Sequence, residues 1–292
     1  MAKILITGGT GLVGTRLSKV LTDNNHEVII LSRKPKEKNE YKWDIDNNYI
    51  DKNAFKDVEF IIHLAGAGIA EKRWTNDRKK IIIDSRVDTA NLLYTKVKEL
   101  NIALKSFISA SGIGYYGAVT TDTIFKESDK AGNDFLGEVC TKWENAALQF
   151  KSLNVNVAIL RTGIVLSENG GALEKMKTPI ISPLGTGKQY MPWIHIDDLC
   201  NMYMHMIEKN EQGIFNAVAP KHHTNKSFSK LLAKAVKRPY VGVGVPRFLL
   251  KIIFGDMSKI LLEGSRISSK KIEKNNFSFR FNKLIDALNN VS

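Results

Sequence analysis

Residues 3–21 read KILITGGTGLVGTRLSKVL, and this stretch limits the possible folds more than any other. A short apolar run, Ile4-Leu5-Ile6, leads into Gly8-Gly9-Thr10-Gly11-Leu12-Val13-Gly14, and Val13, Leu17, Val20 and Leu21 then recur at helical spacing. In a strand, glycine turn and amphipathic helix taken in that order, each glycine has a mechanical task. One makes the tight turn, one lets backbone N–H groups close on a pyrophosphate, and one lets the helix lie against the strand. The head of the helix then points its unpaired amides and its dipole at the phosphates. The segment reads as a dinucleotide site, with Gly8, Thr10, Gly11, Leu12, Val13 and Gly14 as its contacts.

Which dinucleotide binds is decided at the end of the next strand. A site for NAD needs an acidic side chain there to hold the ribose 2′-hydroxyl. EVIILS ends instead in Ser32-Arg33-Lys34-Pro35. A guanidinium and a hydroxyl suit a 2′-phosphate, so NADP(H) is the expected cofactor.

Beyond that point apolar runs alternate with helical patterns. VEFIIHLAG precedes a long helix near 75–100, SFISASG precedes a helix over 134–150, and VNVAILRTG follows. Nearly all-apolar strands separated by helices call for a parallel sheet covered on both faces. The fold class is therefore α/β, a Rossmann-type doubly wound parallel sheet. After Arg161 the pattern loosens into glycine- and proline-rich loops and further helices, which read as a smaller C-terminal lobe. The expected division is a dinucleotide-binding domain over 1–220, with 164–189 contributing to a substrate lobe, and a basic helical domain over 221–292.

The net charge of +13 is uneven: residues 221–292 carry 15 Lys and Arg against four acids. The basic residues are scattered (Lys226, Lys230, Lys234, Lys237) at the spacing of one wet helix face, so a nucleic-acid partner is not expected. No apolar stretch approaches the roughly 20 residues that span a bilayer; VPRFLLKIIFGDMSKILL is broken by Arg247, Lys251, Asp256 and Lys259. Cys140 and Cys200 are far apart in unlike contexts and give neither a disulfide framework nor a zinc spacing. These features lead us to expect a cytoplasmic, metal-free monomer or homodimer, with a small-molecule substrate and no membrane partner. PLGTGKQ has the look of a phosphate loop, but Ser182 and Gln189 stand where glycine and the magnesium-holding hydroxyl belong.

TGGTGLVG, FIIHLAG, SFISASGIGYYG and WIHIDDL together resemble the nucleotide loop, fourth strand, fifth strand and late helix of the extended short-chain dehydrogenase/reductases, the sugar-nucleotide epimerase/dehydratase group. RWTNDRKKIIIDSRVDTANLL, NDFLGEVCTKWENAA, LRTGIVLSENGGALEKM and PLGTGKQYMPWIHIDDL are similar to one atypical branch that carries an extra C-terminal domain. The resemblance covers essentially the whole chain. It implies cofactor contacts from the glycine loop, Ser32, Arg33, Leu64, Ala65, Gly66 and Arg86, with Asp44 near the adenine and Val165 near the nicotinamide end. Arg86 falls where the superfamily keeps a helix asparagine.

The pattern breaks where that superfamily keeps a tyrosine and, four residues on, a lysine. The lysine holds the ribose and lowers the tyrosine pKa so that the phenol passes a proton. Here the two positions fall at Leu136 and Cys140. Their helix face continues to Trp143 and Ala147, which reads as core; the chemical reading makes Cys140 a proton donor or nucleophile. Lys142 gives it no help, because two residues along a helix is about 200°. The other candidate donors are Ser111, whose alignment with the superfamily serine competes with Gly112, and Tyr115 and Tyr116. A phenol without a lysine still donates a hydrogen bond to a carbonyl, so any chemistry is expected to run in the reductive direction. His63 and His195 read as structural, with Asp197 and Asp198 capping the helix that follows. Arg73, Trp74 and Trp193 are expected to edge the substrate pocket. The sequence supports an oxidoreductase or epimerase-like enzyme and, as an alternative, a non-catalytic NADPH-binding protein.

Overall fold

Strand β1 (Lys3–Thr7) leads through the glycine turn into helix α1 (Leu12–Asp23), followed by β2 (Glu27–Ser32), β3 (Glu40–Asp44), β4 (Tyr49–Ile50) and β5 (Phe60–His63). Helix α2 (Asn76–Glu99), β6 (Ser106–Gly112), β7 (Ile124–Phe125), α3 (Phe135–Leu148) and β8 (Asn156–Thr162) come next. The remainder comprises β9 (Ile164–Leu166), α4 (Ala172–Met176), β10 (Trp193–His195), α5 (Ile196–Glu208), β11 (Gly213–Ala217), α6 (Asn225–Ala235), α7 (Arg247–Phe254), α8 (Lys259–Leu262), β12 (Arg266–Ile267), α9 (Lys270–Lys274) and α10 (Leu284–Asn290). This is a computed structural model describing residues 1–292.

Eight strands form one sheet in the order β11-β8-β6-β5-β1-β2-β3-β4. All neighbours run parallel except β3 and β4. Successive side chains of a strand point to opposite faces, so one strand feeds two cores. Ile4 and Ile6 join Leu17 and Leu21 of α1 and Met202, Tyr203 and Met206 of α5 on one side. Leu5 joins Leu93 and Val97 of α2 and Ala147 of α3 on the other. The doubly wound parallel sheet expected from the apolar runs is the observed architecture. The strands missing from that expectation, β3, β4 and β11, lie at the sheet's ends. In EYKWD only Trp43 is fully buried, so the segment lacks the continuous apolar run of an inner strand.

Side chains fix where the helices begin. Thr75 accepts from the Arg78 amide and Asp134 from the Gly137 amide, ahead of α2 and α3. Helix α1 is different: its N-cap is Gly11 and no side chain closes its head.

A third core, built from Leu166, Leu173, Trp193, Phe228, Leu232, Leu284 and Leu288, holds the smaller lobe together. The C-terminal tail also returns to the main sheet, where Ile272, Phe277 and Phe279 are buried in the first core. The Asp198 carboxylate secures it by accepting the Arg280 and Phe281 amides at 2.8 and 3.0 Å.

A donor-rich cradle beside a donor-poor pocket

The order of the strands reverses about β1, which lies between β2 and β5. In open α/β sheets the crevice at such a point, outside the carboxyl ends of the strands, is where ligands bind. Gly8, at φ +69°, makes the turn there, and a Cβ on it would lie 2.9 Å from the Leu64 carbonyl carbon. A Cβ on Gly14 would lie 2.6 Å from the Gly9 Cα and nearer still to the Gly8 carbonyl oxygen. Helix α1 can therefore rest on the turn only with hydrogen at both positions. Within the chain, the amides of Leu12, Val13 and Gly14 donate to no carbonyl and no side chain. Three free N–H groups and a helix dipole at the switch point make an anion cradle.

Of the surrounding contacts expected from sequence, Leu64 and Ala65 lie against the Gly8 turn. Leu64 and Ala65 follow β5 and donate to the carbonyl and hydroxyl of Thr7. Gly66 lies under Arg86, whose Cζ would be 3.0 Å from a Cβ there. A side chain at Gly171 would run into Leu12, so the loop after β9 passes over the head of α1. Val165, in the middle of β9, is half-buried and packs on the first core. Ser32 and Arg33 end β2; Arg33 is exposed, and its guanidinium has no partner in the chain. Asp44 accepts from the Asn47 side chain at 2.9 Å, which holds its carboxyl below the usual carboxylate range.

Arg86 is 9% exposed and has no carboxylate partner. Its Nη1 donates to the carbonyls of Ala67 and Ile82 at 3.0 and 2.8 Å, its Cζ stands 4.9 Å above the Trp143 ring, and its Nε is buried without an acceptor. Burial lowers its pKa to about 10. A buried cation with an orphaned donor is costly.

The proposed donors fare differently. Ser111 Oγ donates to Glu144 Oε1 at 2.7 Å, and Glu144 in turn binds the Arg161 guanidinium through both oxygens at 2.8 Å. Gly112 faces the same helix a turn earlier: a Cβ there would lie 3.8 Å from the Cys140 Sγ, and one on Gly114 would lie 3.2 Å from the Leu136 Cβ. Gly112, Leu136 and Cys140 thus converge on a spot with no acid among them. Burial raises the Cys140 thiol to about 11, and its Sγ–H donates to the Gly112 carbonyl. Lys142 turns away to pair with Glu138. Tyr116 is buried, donates to Asn216 at 2.7 Å and accepts from Arg161; burial lifts its phenol to about 12. Tyr115 is half-buried, with its ring 3.3 Å from the Arg161 Cζ and its hydroxyl free of partners in the chain.

Arg73 and Trp74 lie where the smaller lobe meets α2: Arg73 Nη2 donates to the Ile252 carbonyl, and Trp74 packs with Ile82, Val139 and Met257. Trp193 is placed otherwise than expected. It is 0% exposed within the small-lobe core and presents nothing to a cleft, because β10 pairs with β9 and turns it inward. His63 is fully buried, with Trp143 Nε1 donating to its Nδ1 and Thr89 on its Nε2, and burial depresses its pKa to about 3. The cap of α5 is the His195 side chain rather than Asp197 or Asp198; its Nδ1 accepts the Asp197 amide. The two aspartates are drawn off, Asp197 to Arg16 and Asp198 to the returning tail. Gln189 is buried and ties the carbonyls of Leu184 and Leu261. No group of three or more His, Cys, Asp or Glu is arranged to hold a metal ion.

The profile of the NAD dependent epimerase/dehydratase family matches residues 4–218, and that of a domain of unknown function matches residues 245–291. Proteins named epimerase family protein from Mycobacterium leprae and Staphylococcus aureus are 32% and 33% identical. The alignments cover 98% and 100% of this chain and 94% and 99% of theirs. Among solved structures, human epimerase family protein SDR39U1 with NADPH superposes with a TM-score of 0.90 at 29% identity, over 99% of this chain and 98% of the other. A nucleoside-diphosphate sugar epimerase from Corynebacterium glutamicum, also 29% identical, has a TM-score of 0.79 over 98% of this chain and 57% of the other. With a free anion cradle at the switch point of its sheet and a family profile over more than two-thirds of its length, the chain belongs to the NAD-dependent epimerase/dehydratase family.

Proposed function

We propose that the chain binds NADP(H) and works as an oxidoreductase in the reductive direction on a small carbonyl compound. The observation that carries this reading is the trio of free amides at Leu12, Val13 and Gly14, together with the Arg33 guanidinium, which has no partner in the chain, and the Nε of Arg86, which has no acceptor. Those donors fit a phosphorylated dinucleotide: the amides suit its pyrophosphate, Arg33 and Ser32 its 2′-phosphate, and Arg86 an oxygen nearer the nicotinamide. The human relative solved with NADPH supports the choice of the phosphorylated form. When bound, the cofactor supplies hydride. The chain supplies position and a proton path, and Tyr115 carries the one candidate hydroxyl that no other residue has claimed. Lying flat on Arg161, it is held to donate a hydrogen bond to a substrate oxygen.

The convergence of Gly112, Leu136 and Cys140, whose one donor is a thiol already bonded to the Gly112 carbonyl, favours a second reading, an NADPH-binding protein that performs no turnover. Titration and turnover separate the two. NADPH should bind more tightly than NADH, and Arg33→Asp should weaken NADPH by about 1.5–3 kcal/mol, the size of a hydrogen bond to a charged group, while sparing NADH. Equal loss of both would refute the 2′-phosphate assignment. Oxidation of NADPH by members of a panel of small carbonyls supports the oxidoreductase reading; saturable binding with none oxidised selects the non-catalytic one.

A further inference from the structure

Helix α7, RFLLKIIF, is apolar on nearly every side. Its inner side is anchored: Leu250 is buried, and Phe254 is half-buried against the Trp74–Met257 cluster. Its outer side is bare. Phe248, Ile252 and Ile253 are 62%, 68% and 58% exposed and Leu249 is 40% exposed; Val241 and Val243, just ahead of the helix, are 43% and 76%. These six residues fall within thirteen positions and make up almost half of the chain's exposed large hydrophobic residues. The helix is firmly held in this pose. Arg73 donates to the Ile252 carbonyl at 2.8 Å, Lys79 pairs with Asp256 at 3.2 Å, and Arg247 pairs with Glu263 at 2.6 Å. A helix apolar all round is ordinarily covered, and a concentrated exposed patch of this kind marks an interaction face.

The charge around it identifies the occupant. Residues 221–260 hold nine Lys and Arg against a single acid, Asp256, which Lys79 already neutralises. Lys251 and Lys259 flank the patch, exposed and without ion-pair partners. An apolar helix face carried on a basic segment matches the acyl boundary of an anionic bilayer, where a helix lies in the interfacial plane. A second copy of this chain matches poorly, because a two-fold contact would set the same basic segment against itself. No helix here is long and apolar enough to cross a membrane, so the fit is to a surface. We propose that the C-terminal lobe docks on anionic phospholipid through α7, with Phe248, Leu249, Ile252 and Ile253 in the acyl boundary and Lys251 and Lys259 at the phosphates. The expectation of no membrane partner came from the absence of a spanning segment, and an exposed face eight residues long escapes that criterion.

The test is sedimentation of the full chain with vesicles of phosphatidylcholine alone or mixed equally with phosphatidylglycerol. At about 0.1 M salt, where the Debye length is roughly 10 Å, the chain should sediment with the mixed vesicles and not with phosphatidylcholine, and high salt should weaken binding. Phe248→Glu/Ile252→Glu alters only side chains that meet solvent, so its unfolding profile should match the wild type while vesicle binding is lost. Lys251→Glu/Lys259→Glu should lower partition more than about twentyfold, since each basic residue near an anionic surface contributes roughly a factor of five. Three results would each overturn the proposal: no sedimentation with mixed vesicles, equal sedimentation of the wild type and the Phe248/Ile252 variant, or a dimer that the same variant converts to monomer.

Discussion

Replacing Arg86 by methionine should separate the cost of that residue from its use. The folded pKa, about 10, lies below the ordinary 12.5, so burial penalises the charged form. The penalty is fully present at every pH below about 10 and fades above it, as the folded chain gives up the proton that the unfolded chain still holds. At 1.36 kcal/mol per pH unit it amounts to about 3 kcal/mol. Against this stand the two hydrogen bonds from Nη1 and the stacking on Trp143. Together these return about 2–4 kcal/mol. The balance is close to zero, so Arg86→Met, which fills the same groove with an unbranched apolar chain, should change the unfolding free energy by about 1 kcal/mol or less. Cofactor affinity should respond far more. Loss of one charge-assisted hydrogen bond is worth about 1.5–3 kcal/mol, a ten- to hundredfold rise in the NADPH dissociation constant. Denaturant titration with and without NADPH reads both quantities, because a ligand that binds only the folded state stabilises it by RT ln(1 + [L]/Kd). A variant that loses more than about 3 kcal/mol without cofactor yet keeps the wild-type dissociation constant would show Arg86 to be a structural residue and refute the reasoning.

Glu144 and Arg161 are 4% and 1% exposed, so Glu144→Ala should cost about 3–5 kcal/mol by stranding a buried guanidinium, and Glu144→Leu/Arg161→Leu should cost clearly less; a double variant as unstable as the single one would contradict this. Cys140, with a thiol raised to about 11, should resist alkylation in the folded chain up to mildly alkaline pH and react on unfolding, and Cys140→Ala should leave any turnover largely intact; rapid native-state labelling, or a collapse in turnover with folding unchanged, would speak for a reactive thiolate.

Features carried by periodicity and by glycine geometry could be read from the sequence. The turn at Gly8–Gly14 and helix α1 follow from local sterics, and the inner strands follow from unbroken apolar runs buried on both faces. The direction of Lys142 away from Cys140 is likewise a property of helical spacing. Features that depend on which distant group a polar side chain finds could not be read. Ser111 and Tyr116 carry the same hydroxyls whether free or bound, and only the fold brings Glu144, Arg161 and Asn216 to them. His195 takes the cap because α5 begins at Ile196, which puts Asp197 and Asp198 inside the first turn, where Arg16 and the returning tail bind them from 181 and 82 residues away in sequence. Trp193 looks like a cleft residue until β10 pairs with β9 and turns it into the small-lobe core. The bare face of α7 could not be read either, because the sequence shows that the helix is apolar without showing which sides the lobe leaves uncovered.

The departures around the reaction centre are consistent with one another. A lysine at position 140 would be held in a buried position one turn from Trp143, on which the Arg86 guanidinium already stacks, and two cations so placed would each suppress the charge of the other. If the resemblance places the superfamily lysine at 140, a positive charge at Arg86 on α2 goes with the apolar occupant at 140. The Gly8–Gly14 cradle is built from β1, α1 and the residues after β5, none of which includes positions 136 and 140. On the proposed function, recognition of a dinucleotide and delivery of a proton would rest on different side chains, so the first could persist unchanged while the second was rebuilt around Tyr115 or given up.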